Sequence, residues 1–429
     1  MISLGLLCIF ILFAGLMFLR KIPALLALPA MAISIGWLSQ VSPIYLLNHI
    51  IAGGATKLAP VYVAVFMGAM MGRVLLQTGI AESIIKKAAE FGGEKPLWVS
   101  FGLLFVTALL FTTLQGLGAI ITVGSLVLPV MMSLGVPRKM AGTLFLLAYA
   151  TGFVFNPILF TLYRELLQLP PGTALPSEVS QFATILIGLM SVLVVAYGFW
   201  AAKRSGEILY MKETPPLASV KQEVPTIALL TPLVPLILYF GFHAVGYSID
   251  FIATFLVGSL YGILTTQWRN ISSLLTSSAI KGLEDGAPAA LLMMGIGMLL
   301  NALQLPQIKT ALEPLILALP WEHSWFYVAF FGLLSPLALY RGPLNIFGIG
   351  IGLFSILFGA SVLPPLALLA AVMCIVQVQN VGDPTNTHNV WIANFVGVRV
   401  EDFTRSTLLP MMLFCLFSLC LAAYLFFVP

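Results

Sequence analysis

The stretch VQNVGDPTNTHNVW, from Val378 to Trp391, places a proline among many hydrogen-bonding side chains directly after the apolar run LPPLALLAAVMCIVQ. Proline removes a backbone donor and disfavours helical backbone in the residue before it, here Asp383. The stretch therefore predicts a break inside an otherwise apolar helix. Because lipid offers no partner to bare N–H and C=O groups, such a break must be buried in protein or line a wet cavity.

The composition is that of an integral membrane protein. The chain has 429 residues, of which 60% are hydrophobic and 8% are charged, whereas ordinary globular domains carry about 25% charged residues. Apolar runs long enough to cross a bilayer as helices recur along the whole length. We therefore predict an all-α, multi-pass protein in contact with the lipid bilayer. Its net charge of +4 reports loop orientation and does not indicate nucleic-acid binding.

The chain contains an internal repeat. LLNHIIAGGATKLAP (Leu46 to Pro60) overlays LLTSSAIKGLEDGAP (Leu274 to Pro288) at an offset of 228 residues, and Pro157 falls on Pro384 at 227. An ordered series of such matches indicates a diverged duplication. The boundary between the two copies is a charged linker at 203–225.

Positive charge is distributed differently in the two copies. The connection at 73–95 carries four Lys and Arg residues, whereas its counterpart at 299–322 carries Lys309 with Glu313 and Glu322. Cytoplasmic loops are enriched in Lys and Arg. The copies are therefore predicted to be inverted, with the 203–225 linker in the cytoplasm and both termini outside a bacterial cytoplasmic (inner) membrane.

These features predict an inverted-repeat secondary transporter with about ten transmembrane helices, two re-entrant hairpins and two broken helices. The first repeat (1–202) contains a hairpin at 97–137 and a broken helix at 139–168. The second (226–429) contains a hairpin at 323–363 and a broken helix at 364–392. Paired interruptions in inverted halves indicate a solute site near the middle of the membrane.

Arg341 lies in the predicted turn of the second hairpin, LYRGPLN, and aligns with Gln115 in the first. A cation at that depth costs at least ~2.5 kcal/mol unless something compensates it. The planar guanidinium suits a carboxylate held by two hydrogen bonds. The alternatives are that Arg341 neutralises Asp383, that it caps helix carbonyls, or that it lies outside the membrane core.

Asp383 is the one carboxylate that the sequence places in the membrane core. With Asn380, Thr385 and Asn386 nearby, it is a candidate ligand for Na⁺ or a proton carrier. The alternative is a turn residue preceding proline.

Candidates in the first copy are Thr112, Thr113 and Gln115 at the hairpin turn and Asn156 at the break. Each of these side chains has a donor for a solute, but threonine in a membrane helix often bonds its own backbone instead. Asn156 aligns with Asp383.

The segments VPRKMAGTLFLLAYATGFVFNP and LPPLALLAAVMCIVQVQNVGDPTNT, with the polar hairpin turns, resemble the ion transporter superfamily, which includes gluconate and citrate permeases and divalent anion symporters. The resemblance implies a site where hairpins and broken helices meet, and carboxylate transport coupled to Na⁺ or H⁺. Carried over by position, that site comprises Thr112, Thr113, Gln115, Gly116, Asn156, Arg341, Gly342, Asn345, Asn380, Asp383, Thr385 and Asn386. Several members carry Ser-Asn-Thr at the hairpin turns, where this chain has TTLQG and YRGPLN.

We therefore predict symport of a small anionic solute, a carboxylate, with Na⁺ or H⁺. Within the site, Asp383, Asn380 and Thr385 are the candidates for coupling to the cation. The rival interpretation is a cation/proton antiporter of the same architecture, in which Arg341 balances Asp383. The sequence lacks HExxH, Ser/His/Asp and nucleotide-loop motifs, so an enzyme is not expected. No cofactor or metal other than Na⁺ is expected, and a second copy of the chain is a candidate partner.

Overall fold

The computed structural model describes residues 2–19, 21–91, 96–170, 173, 175–205, 224–247 and 249–427. Most of the predicted 203–225 linker lies outside them. The described α-helices are α1 (Ile2–Phe18), α2 (Ala24–Leu38), α3 (Pro43–Tyr45), α4 (Gly53–Lys57), α5 (Ala59–Gln77), α6 (Ile80–Phe91), α7 (Pro96–Phe111), α8 (Gly116–Ser133), α9 (Arg138–Phe153), α10 (Pro157–Leu166), α11 (Ser177–Ser205), α12 (Val234–Ala244), α13 (Phe251–Leu264), α14 (Ile271–Leu303), α15 (Pro306–Leu317), α16 (Ser324–Leu333), α17 (Gly350–Ala360), α18 (Pro365–Gly382), α19 (Thr387–Val396) and α20 (Val400–Phe426).

Shorter helical segments complete the described architecture. A π-helix at Leu46–Ala52 joins α3 to α4, and 3₁₀ turns lie at Thr226–Leu233, Trp268–Asn270 and Ser335–Arg341. The predicted class, an all-α polytopic membrane protein, is confirmed. Among the described residues, seven helical runs are long and apolar enough to cross a membrane, and the pair α9–α10, bent by 56°, makes an eighth.

The helices follow the same order in both halves. The pair α7–α8 occupies the place of the predicted first hairpin, and α16–α17 that of the second. Each hairpin is followed by an interrupted helix, α9–α10 and then α18–α19, and by one long helix, α11 or α20. Asn156 precedes α10, and Asp383 follows α18. Each interruption thus coincides with a proline, Pro157 or Pro384, and the polar residue before it.

The first segments of the interrupted helices lie at the centre of the protein. Every residue from Met140 to Phe153 on α9 is buried, and so is every residue from Ala367 to Gly382 on α18. A helix that is apolar on all sides is expected in such a position. The breaks at their ends are therefore enclosed by protein, as backbone outside a helix requires at membrane depth.

Close helix packing brings the two halves together where α4 meets α14. A Cβ atom added at Gly297 would overlap the carbonyl oxygen of Gly54, and one added at Gly54 would lie 2.8 Å from the backbone nitrogen of Met298. Small residues allow this approach, which drives helix association in lipid.

Candidate functional site

The break between α18 and α19 frees backbone carbonyls from the helical pattern, and nearby side chains satisfy them. Asn386 donates to the carbonyl of Gln379 at 2.8 Å, and Asn389 donates to those of Val381 and Asp383 at 3.1 and 2.9 Å. A ring nitrogen of His388 lies 3.0 Å from the carbonyl oxygen of Asn380, and Thr404 donates to that of Gly382 at 2.8 Å. Many of the polar side chains between Val378 and Trp391 therefore stabilise the break itself.

Asp383 is completely buried and its carboxylate is fully occupied. Oδ1 accepts hydrogen bonds from the backbone of Tyr340 at 3.0 Å and from the backbone and hydroxyl of Thr385 at 2.9 and 2.7 Å. Oδ2 accepts from the backbone of Arg341 at 3.4 Å and the amide of Asn345 at 3.0 Å. A carboxylate offers about four lone-pair positions. Asp383 therefore anchors the turn of the second hairpin to the break, and its coupling role stays a prediction.

The turn of the second hairpin has an unusual backbone. Tyr340 and Arg341 both adopt the left-handed conformation, with φ of 55° and 58°. Residues other than glycine rarely adopt this backbone conformation, and each one that does costs about 1–3 kcal/mol. The hydrogen bonds from both backbone amides to Asp383 hold these two residues in place.

The Arg341 guanidinium forms no ion pair with Asp383. Its Nη1 donates to the carbonyl of Phe347 at 3.3 Å. Within the part of the chain that the structure describes, no ion pair joins Arg341 to a carboxylate. Most of its five donors therefore have no protein acceptor, and the side chain lies half-buried in the hairpin turn.

The neighbouring predicted residues shape this turn. Asn345 donates to the carbonyl of Ala338 at 2.6 Å and accepts from the backbone of Phe347 at 2.9 Å. Gly342 has no room for a side chain, because a Cβ atom there would overlap the carbonyl oxygen of Leu337. Both residues thus fix the hairpin, and contact with a solute stays a prediction for each.

The first break is tied to its hairpin by Asn156. The Asn156 amide donates to the carbonyls of Phe111 and Leu114 at 3.2 and 3.1 Å, and its oxygen accepts from the backbone of Ile158 at 3.2 Å. Asn156 therefore performs for the first hairpin what Asp383 performs for the second, with the direction of the inter-element hydrogen bonds reversed.

The other candidates of the first copy mostly bond to backbone. The hydroxyls of Thr112 and Thr113 donate to the carbonyls of Leu109 and Leu110 at 2.7 and 3.3 Å. The Gln115 amide donates to the carbonyls of Ala64 and Val65 on α5. Gly116 begins α8 with φ of +80°, which favours glycine.

Two buried polar atoms of the predicted site have no hydrogen-bond partner, namely Gln115 Oε1 and Asn380 Nδ2. Such orphan atoms are unusual, because buried polar groups are normally satisfied. With the Arg341 guanidinium, they are the atoms of the predicted site best able to contact a solute.

An aromatic bridge links the first hairpin to the second break. The rings of Phe111 and Tyr149 are 4.9 Å apart, and those of Tyr149 and His388 are 4.8 Å apart. Two ring contacts therefore connect the end of α7, next to Thr112, with His388 beside the second break. That Gln115 itself lies beside Arg341 stays a prediction.

Several cross-repeat polar contacts escaped the sequence analysis, among them an ion pair between Arg164 and Asp250 at 3.3 Å. Arg73 and Asp285 form an ion pair, and Lys57 donates to the side-chain oxygens of Asn301 and Gln304 at 2.9 Å each. Asp285 lies within the Trp268–Leu303 run, which is long and apolar enough to cross a membrane, so a second carboxylate besides Asp383 belongs to such a run. The repeat alignment contained the signal, because an offset of 228 places Lys57 on Asp285 and Arg73 on Asn301.

The architecture is that of known membrane transporters. The chain matches the crystal structure of the YdaH transporter of Alcanivorax borkumensis with a TM-score of 0.57 and 14% sequence identity, over 98% of each chain. It also matches MtrF of Neisseria gonorrhoeae, described with a class of antimetabolite efflux pumps, with a TM-score of 0.56 and 13% identity, over 90% of this chain and 84% of that one. At such identities the likeness concerns the fold alone. No protein-family model and no curated protein matches the sequence.

Proposed function

We propose that the protein is a secondary active transporter that moves a small organic carboxylate across the membrane, coupled to Na⁺ or H⁺. The observation that carries the proposal is the Arg341 guanidinium, which lies in the turn of the second hairpin, beside the buried break that follows α18, and forms no ion pair with a carboxylate among the described residues. A planar, permanently charged group in that position is suited to bind a carboxylate through two hydrogen bonds.

The antiporter alternative receives less support. It requires Arg341 to balance Asp383, but Asp383 accepts its hydrogen bonds from backbone amides, Asn345 and Thr385. The guanidinium is therefore able to bind another anion. The orphan atoms of Gln115 and Asn380 add one acceptor and one donor with which a solute can be oriented.

The proposal is tested by ligand-induced thermal stabilisation of the purified protein. Citrate, succinate and gluconate are titrated with and without Na⁺ at several pH values, because a ligand that binds only the folded state raises the unfolding temperature. Arg341→Lys keeps the charge but loses the planar fork. Loss of a contact of ~1.5–3 kcal/mol weakens binding roughly ten- to hundredfold.

Arg399→Lys is the matched control, since Arg399 is exposed and pairs with Asp402 near the start of α20. We expect it to leave carboxylate binding unchanged. Because the Asp383 carboxylate accepts its hydrogen bonds from groups other than the guanidinium, Arg341→Ala should fold stably. A stable Arg341→Ala protein that binds the carboxylate as tightly as the wild type would remove Arg341 from the site.

A further inference from the structure

A cavity lies where α4, α10 and α14 end. Lys57 is the last residue of α4, Glu165 is the last but one of α10, and Gln304 follows α14. All three line the cavity, whose volume is about 550 Å³, within the roughly 300–1,000 Å³ of most small-molecule sites. Gln168, which also lines it, is exposed. The cavity therefore opens to the surface of the protein, and a small molecule can enter it.

The Lys57 ammonium has a donor left for such a molecule. Its Nζ donates to Oδ1 of Asn301 and Oε1 of Gln304 at 2.9 Å each, whereas an ammonium has three donors. Both acceptors are neutral, and no ion pair among the described residues includes Lys57. The positive charge of Lys57 is therefore held in place but not neutralised.

The Glu165 carboxylate is also unpaired. Glu165 is half-buried, and among the described residues its carboxylate accepts no hydrogen bond and forms no ion pair. The adjacent Arg164 pairs with Asp250 instead. Lys57 and Glu165 are close enough for their charges to act on each other. The cavity thus presents a positive and a negative group that do not contact each other.

The signs of these two charges limit the ligands that fit. A simple anion is attracted by Lys57 but repelled by Glu165, and the reverse holds for a simple cation. Lys309 and Glu313 of α15 do not change this balance, because they are exposed and line an adjoining cavity of about 170 Å³. A molecule that carries both charges is attracted by both walls of the larger cavity.

Most of the remaining wall is apolar. Three helices contribute side chains to it, namely Leu162 of α10, Leu300 of α14 and Phe358 of α17. Burial of an apolar group against these side chains is favourable. An amino acid with an apolar side chain combines such a group with one positive and one negative charge.

We propose that this cavity is a binding site for a zwitterionic amino acid with an apolar side chain. The Lys57 ammonium pairs with the carboxylate of the amino acid, and the Glu165 carboxylate pairs with its ammonium. The apolar wall accepts the side chain. The inference goes beyond the proposed function, because Arg341 is not among the described residues that line this cavity, and binding here does not require transport.

The test is isothermal titration calorimetry of the purified, full-length protein at neutral pH. L-Leucine is compared with 4-methylpentanoate, which lacks the ammonium, and with 3-methylbutylamine, which lacks the carboxylate. We expect both analogues to bind roughly ten- to hundredfold more weakly than leucine, because each loses one charge-assisted contact. L-Methionine and L-phenylalanine extend the panel to other apolar side chains. Failure of all three amino acids to bind, or equal binding of leucine and both analogues, would overturn the proposal.

Two variants assign the charges. Glu165→Gln should weaken leucine binding roughly ten- to hundredfold and abolish the preference for leucine over 4-methylpentanoate. Lys57→Gln should weaken it similarly and abolish the preference for leucine over 3-methylbutylamine. The matched control is Glu313→Gln in the adjoining cavity, which should bind leucine like the wild type. Unchanged leucine binding in both folded variants would overturn the proposal.

The design separates misfolding and the proposed transport function from this site. Lys57→Gln removes hydrogen bonds between the repeats, so thermal unfolding shows whether it folds. Glu165→Gln removes none and carries the test alone if Lys57→Gln does not fold. Arg341→Ala should bind leucine like the wild type, and loss of leucine binding in the folded variant would overturn a separate site. Failure of carboxylate transport would refute the proposed function and leave the calorimetric result standing.

Discussion

Asn156 and Asp383 occupy equivalent positions in the two repeats, and each fastens a helix break to the adjacent hairpin. The side-chain NH₂ of Asn156 donates to two carbonyl oxygens, whereas the carboxylate oxygens of Asp383 accept hydrogen bonds from backbone and side-chain donors. An ionised carboxylate has no donor. The difference between the two residue types therefore follows from what each hairpin turn presents, carbonyls in the first and amides in the second.

The variant Asn156→Asp tests whether a hydrogen-bond donor is required at position 156. It places a carboxylate against the carbonyl oxygens of Phe111 and Leu114 in a site that is 0% exposed. We expect a loss of at least ~3 kcal/mol, because a buried carboxylate would face two carbonyl oxygens and keep only the backbone amide of Ile158 as a donor. Thermal unfolding in detergent measures the effect, with the exposed Asn394→Asp on α19 as the matched control. Equal unfolding temperatures for the two variants would contradict the assigned role of Asn156.

At the scale of helices, the structure ends helices beside Pro157 and Pro384 and between α7 and α8, because proline and glycine act locally. Pro157 and Pro384 mark the interruptions, and the first turn falls at Thr112–Gln115, between α7 and α8. What composition could not reveal is which polar side chains serve the backbone. The side chains of Asn386, Asn389 and Thr404 donate hydrogen bonds to the backbone carbonyls freed by the break. Which side chains do so depends on the geometry of the folded chain.

The contact between α7 and α9 provides a test of helix packing around the site. A Cβ atom at Gly152 would overlap the carbonyl oxygen of Ala108. Gly152→Ala should therefore force the helices apart and lower the unfolding free energy by at least about 1–3 kcal/mol. Gly188→Ala on α11 is the control, since no atom lies within 4 Å of its added Cβ. We expect no loss of thermal stability in the control, and equal losses in both variants would refute the packing argument.

At the scale of the whole molecule, the predicted fold class holds, whereas the cross-repeat ion pair escaped prediction. Arg73 and Asp285 are separated by 212 residues, and the sequence analysis placed Arg73 in a connection between helices and gave Asp285 no role. Their pairing follows only when α5 packs against α14. The candidate functional residues lie mainly at the helix breaks, which have a local sequence signal, whereas the contacts between the repeats have none.

The most direct measurement of the central claim is solute uptake into proteoliposomes that carry an inward gradient of Na⁺ or H⁺. With the carboxylate that most stabilises the purified protein, we predict that the wild type accumulates the solute only while the gradient lasts. Arg341→Lys should need roughly ten- to hundredfold more solute for the same rate. Undiminished, gradient-driven carboxylate uptake by a stable Arg341→Ala protein would contradict the account.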